Sequence, residues 1–198
     1  MAQKSEYLKK RLPDILLESL FIVLALLGAL AIDEWRETRK KKDQAQSARK
    51  AIEDEIIENL DQIESKLTMH KRLLDDLKEK LAAHKKNPDA PANFDFNFPM
   101  ALISSAAWDS AKMTQAIQLL PLEDVSLLSK IYQFQDVYSK NQDKIIEKVM
   151  TIGELKDDEF PLFARAFYHR LEILIAINGD LQTAYRKSLG REEPVETP

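Results

Sequence analysis

Few residues of this chain are of a type, or at a spacing, that could do covalent or acid–base chemistry. It has three histidines and no cysteine. Without thiols there are no disulfides, no thiolate metal sites and no thiol nucleophile. His70 and His84 share a helical stripe but stand about 21 Å apart along the axis, too far to hold one metal. A di-iron bundle needs two Glu-x-x-His pairs. The residues three before His70, His84 and His169 are Leu67, Leu81 and Ala166, which leaves a lone His169/Glu172 pair. Gly28, Gly153, Gly179 and Gly190 are isolated. They build neither a phosphate loop nor a dinucleotide fingerprint, and no Gly-x-Ser-x-Gly elbow occurs. The expectation is a chain with no catalytic residue, no cofactor and no metal.

Polar residues inside otherwise apolar stripes carry more information. His70, Gln135, Gln142 and Arg170 occupy such positions. A buried polar group must be paired or it costs free energy. One reading is that these residues fix the register of packed helices. The sharper one is a polar layer of Gln135, Gln142 and Arg170 lining a small ligand pocket. In an antiparallel hairpin turning at about residues 153–157, Gln142 would face Arg170, Ile145 would face Phe167 and Val149 would face Phe163.

The elements that would hold these residues are all helical. The chain is 198 residues long, 44% hydrophobic and 31% charged, a mixture suited to amphipathic helices. Ala45, Ala48, Ile52, Ile56 and Leu60 begin a stripe, with a stutter-like run of four-residue steps. Leu60, Ile63, Leu67, His70, Leu74, Leu77, Leu81 and His84 continue it in alternating steps of three and four, a coiled-coil heptad. Proline and Asn/Asp predict a linker over residues 87–100, in which Phe94, Phe96 and Phe98 would point to one side of an extended chain. They would pack on the bundle or form a docking edge.

A second helix is expected over about Ala101–Leu119, with the stripe Ile103, Ala106, Ser110, Met113, Ile117 and Leu120, and with Trp108 off it, covering a bundle edge or meeting a partner. A third opens at Pro121, Glu123 and Asp124, with acids at its positive end. Its stripe is Leu128, Ile131, Gln135, Tyr138, Gln142, Ile145, Val149 and Ile152, and Gly153 can cap it. A fourth starts at Asp157–Pro161, carries Phe160, Phe163, Phe167, Arg170, Leu174, Ile177, Leu181 and Ala184, and ends near Gly190. Asn178-Gly179 reads as a weak point within it. Residues 191–198 read as a disordered tail.

Ile15–Ile32, ILLESLFIVLALLGALAI, is apolar on every face apart from Glu18. As a helix it spans about 27 Å, against a hydrocarbon core of roughly 30 Å. Tyr7 and Trp35 flank it where aromatic rings favour headgroups. It predicts a transmembrane helix after an N-terminal tail, residues 1–14. A cleaved signal peptide, suggested by Ala29-Leu30-Ala31, and a buried core helix are the alternatives. The basic run Trp35, Arg36, Arg39, Lys40, Lys41 and Lys42 then reads as a membrane-interface cluster. Anionic lipid is its expected partner rather than nucleic acid, since the net charge is −4. The basic residues after the apolar run outnumber those before it, which favours a cytoplasmic C-terminal domain. Glu18, Ile22, Ala25 and Ala29 share one face, a candidate seam for self-association of the anchor.

The run ESLFIVLALLGALAIDEWRETRKKK, followed by a long charged helix, resembles a group of uncharacterised bacterial single-pass inner-membrane proteins. The shared features are Glu18, Gly28, the polar pair Asp33-Glu34, Trp35, Arg36 and Arg39. The stretch with Trp108 and Tyr132 is similar as well. The group usually has Asn before the Trp, where this chain has acids. The resemblance implies a bacterial inner-membrane location and supplies no activity.

The fold class read from the sequence is therefore all-α. A transmembrane helix, residues 15–32, continues through a basic juxtamembrane stalk, residues 33–59, into an up-down helical bundle, residues 60–190. The function expected is a membrane-tethered interaction or scaffold module, a homo-oligomer or a partner of another membrane protein. A ligand-sensing bundle that signals through the stalk is the alternative, and a membrane-permeabilising oligomer a third. A sensor calls for a closed polar pocket near Gln142 and Arg170, a scaffold for a solid core.

Overall fold

A computed structural model describes residues 2–87, 96–152 and 159–190, with side chains from Leu17 onward. Its elements are α1 (Ala2–Lys86), α2 (Ala106–Met113), a short 3-10 helix (Ala116–Leu119), α3 (Leu122–Met150) and α4 (Phe160–Ser188). The chain divides into two compact units, residues 1–47 and 48–198. Phe94, the Gly153 cap and the tail from Arg191 lie outside the described residues.

In the first unit the backbone is helical throughout the described part. Every large apolar side chain from Leu17 to Ile32 is 51–65% exposed, so no side of the helix is covered. Among the described residues no helix is long and apolar enough to cross a membrane. The apolar run read from the sequence begins at Ile15, two residues before the described side chains. From Leu17 it holds Glu18 and then meets Asp33-Glu34.

The second unit uses the predicted α3 stripe from Leu128 to Ile145 and the α1 and α4 stripes in part, with Leu67, Leu74, Arg170 and Ile177 only half-buried. Ile52, Ile56, Leu60, Ile63, His70 and Leu77 of α1 are buried. So are Leu128, Ile131, Gln135, Tyr138, Gln142 and Ile145 of α3, the heptad positions expected there. Pro121 precedes α3, and Glu123 and Asp124 occupy its first turn, where acids meet the helix dipole favourably. Pro161 sits at the start of α4, where its missing N–H costs nothing. The buried face of α4 is Phe163, Ala164, Phe167, Leu171, Leu174, Asn178, Leu181, Gln182 and Tyr185. Asn178-Gly179 does not interrupt that helix. Asn178 is fully buried, and its amide donates to the Ile63 carbonyl at 3.1 Å.

The expected helix over Ala101–Leu119 is corrected. Residues 96–105 are not helical, α2 begins only at Ala106, and the chain breaks again at Gln115, whose φ of 59° is left-handed. A non-glycine residue there costs about 1 kcal/mol or more, a cost the surrounding packing must offset. The expected stripe fails with the helix. Met113 is 78% exposed and Ala106 and Ser110 are exposed, whereas Trp108, Ala111 and Ala116 are buried. Trp108 is thus a core residue, stacked on Tyr132 with centroids 4.9 Å apart.

Residues 96–105 form a strap in the place of a descending helix. Ser104 bonds Asn59 and Pro99 bonds His70, so the strap runs antiparallel to α1. Ser104 also bonds Gln135 and Ala101 bonds Gln142, so it runs antiparallel to α3. Helix α4 descends too, with Tyr185 against Gln135 and Phe167 against Phe96. The up-down bundle therefore has three helices and a strap.

Candidate functional site

The polar residues of the bundle converge on the strap. Asn59 and His70 are about 16 Å apart on α1, the span that the five residue steps from Pro99 to Ser104 cover when a chain is extended. Gln135 and Gln142 on α3 are separated by about 10 Å, as are Ser104 and Ala101. This pitch match lets two helices grip one segment at successive points. Asn59 Nδ2 donates to the Ser104 carbonyl at 2.7 Å, and its Oδ1 accepts from the Ser104 N–H at 2.8 Å. Gln142 treats Ala101 the same way, with both bonds at 2.9 Å. Gln135 donates to the Ser104 carbonyl at 2.6 Å and accepts from the Tyr185 hydroxyl at 2.8 Å. These side chains replace the backbone partners that a helix or sheet would give the strap.

Glu55 holds the next stretch. Its carboxylate accepts from Tyr132 Oη at 2.6 Å, Ser104 Oγ at 2.9 Å, and the N–H groups of Ala107 at 2.8 Å and Trp108 at 3.4 Å. Ser105 makes no side-chain cap for α2. A carboxylate from α1 satisfies those orphan donors instead. Burial and then the Glu55 bond raise the Tyr132 hydroxyl far above its ordinary range. Burial pushes Tyr138 up to about 12, opposed by the neighbouring Asn178 side chain.

His70 is fully buried, stacked on Phe98 at 4.9 Å, with Nε2 2.8 Å from the Pro99 carbonyl. That contact requires the proton on Nε2 and leaves Nδ1 an acceptor, which has no partner among the described residues. Burial lowers its pKa first, the Pro99 bond opposes this, and Lys66 lowers it further. His169 instead sits exposed, 3.1 Å from Glu172. Among the described residues no group of His, Asp and Glu could hold a metal ion.

Gln135 and Gln142 are therefore brought together, but Arg170 does not join them. It is half-buried, and both ends of the Gln142 amide are taken by Ala101. Sequence reading missed Glu55, Asn59, Tyr132, Ser104, Asn178 and Tyr185. A signal for two of them was present: Ile52, Glu55, Asn59 and Ile63 step by three and four along the apolar stripe of α1. Chemically the layer is saturated, since Glu55 already receives four donors. A cavity of about 30 Å³ lies between Arg49, Ile52, Ile56, Leu120, Asp124 and Leu128, room for water rather than a metabolite.

In the first unit Glu18, Ile22, Ala25 and Ala29 are exposed along one face. Trp35 is 60% exposed, and the Arg39 guanidinium lies over its ring at 5.6 Å. Arg36, Lys40 and Lys42 are exposed, while Lys41 pairs with Glu37 at 2.7 Å. That bond holds the Glu37 carboxyl below its ordinary value. No protein-family model, curated protein or solved structure matches the chain.

Proposed function

We propose that the chain is a membrane-tethered helical interaction module without catalytic activity, in which residues 15–32 anchor the protein and the bundle presents a surface to other copies or to another membrane protein. The exposed run from Leu17 to Ile32 carries this reading. A helix with every large apolar side chain at least 51% exposed has a solvent other than water to account for. An interfacial helix would show a broad polar face, and within residues 15–32 Glu18 and Ser19 are the only polar side chains. With Ile15 and Leu16 the run reaches about 27 Å, near the hydrocarbon thickness.

The saturated polar layer favours a scaffold over a ligand sensor, because Ala101 fills the position at Gln142 where a ligand would bind. Exposed Leu102, Phe134, Val137 and Ile173 offer apolar contacts on the bundle. The basic residues after residue 32 favour a bundle in the cytoplasm, and the resemblance to uncharacterised bacterial proteins favours the bacterial inner membrane. The test is extraction of membranes from cells making the full chain. Retention through carbonate and high salt is expected; release by carbonate, or a mature product starting near Ile32, would sink the anchor. The chain has no cysteine, so labelling Ser126→Cys in sealed vesicles reads the orientation.

A further inference from the structure

The cations after the apolar run are not equivalent. On a helix, Arg39 and Lys42 lie within about 40° of Trp35, one on each side. Lys41 lies about 120° away and is neutralised by Glu37. Arg39 and Lys42 make no ion pair among the described residues. Arg36 and Lys40 lie farther round, about 100° and 140° from Trp35, and the nearest acid is Asp43, about 80° from Trp35 and one turn past Arg39. Helical side chains lean toward the N-terminus, which here is toward the apolar run. Arg39 does so, folded over the Trp35 ring.

Directly before Trp35 on this face come Ala31 and Gly28, also within about 40°. Nothing lies within 4 Å of where a Gly28 side chain would begin. The face is thus a shallow apolar channel running up to an aromatic ring and two unneutralised cations. A two-part ligand fits it, with a hydrocarbon chain in the channel and a phosphate at its end.

We propose that Trp35, Arg39 and Lys42 seat the headgroup of an anionic phospholipid, with an acyl chain along Gly28 and Ala31. This rests on the membrane reading above. Lipid is favoured over nucleic acid because the cations adjoin an exposed apolar face that a polynucleotide would leave uncovered.

The full-length protein is reconstituted into phosphatidylcholine vesicles containing brominated phosphatidylglycerol or brominated phosphatidylcholine. Trp35 quenching is taken as the difference from Trp35→Phe, which removes the Trp108 background. Two cations at on the order of fivefold each predict roughly a twenty-five-fold preference for phosphatidylglycerol. The preference should fall to about one in Arg39→Gln/Lys42→Gln, persist in Lys41→Gln, and weaken in Gly28→Leu. Equal quenching by both lipids in the parent protein would overturn the seat. So would an equal loss in Lys41→Gln, which would mean general surface charge. Protection of Trp35 by an added single-stranded oligonucleotide would overturn it in favour of nucleic acid. Failure to incorporate into vesicles would instead overturn the anchor.

Discussion

At the scale of single residues, the bundle depends on side chains that bind backbone. Gln142 is the clearest case, because its amide serves both the N–H and the carbonyl of Ala101. Gln142→Leu strands two buried groups and is expected to cost roughly 1–3 kcal/mol in urea unfolding. Arg170→Gln should be close to neutral; a matching loss there would return the guanidinium to the polar layer. His70 makes stability depend on pH. Its folded pKa lies below its ordinary 6.5, so the unfolded chain takes up the proton first. The contribution is whole above about pH 6.5 and is lost as pH falls from there toward the folded value. In His70→Gln, which keeps a donor for Pro99, that part of the slope should vanish. An unchanged slope across pH 5 to 7, an interval set by the ordinary pKa of histidine, would show that other groups account for it.

At the scale of elements, the sequence was most legible where one period governed a long stretch. The α3 heptad lies buried from Leu128 to Ile145, and so does most of the α1 stripe from Ile52 to Leu77, where only Leu67 and Leu74 are half-buried. It was least legible between residues 96 and 119. There apolar residues at helical spacing suggested one helix, but the backbone partners come from Asn59, Gln135 and Gln142, far away in the chain. Local propensity contains no trace of a partner so distant. The trace was in the partners, whose amides interrupt apolar stripes, and it was read as helix-to-helix pairing. Asn178-Gly179 misled for a related reason: its Asn is held by the Ile63 carbonyl. The glycine beside it has no such use. It is exposed, helical and has open space where a side chain would begin. Gly179→Ala should therefore raise stability by roughly 1 kcal/mol, seen as a higher urea midpoint. A decrease would mean that this surface is covered in the assembled protein.

At the scale of the whole molecule, the two units make different demands on their surroundings. Among the described residues, buried ones begin at Ile52, inside the unit of residues 48–198. A chain starting at Ala48 should then keep one cooperative unfolding transition and leave the membrane fraction. Loss of cooperativity would mean that residues before Ala48 contribute to the fold.

The strap has a consequence for how this sequence can change. Asn59 and Gln142 hold the strap only by its main-chain atoms, so the groove does not ask which side chain stands at Leu102, 74% exposed, or at Met100, 39% exposed. The N–H groups of Ala101 and Ser104 are required as donors, and proline lacks one. A saturation scan should therefore show broad tolerance at positions 100 and 102, exclusion of proline at 101 and 104, and strict demands at 59 and 142. Constraint falls on the readers and spares much of what they read. Distant versions of this protein could diverge along the strap while keeping the two amides that hold it.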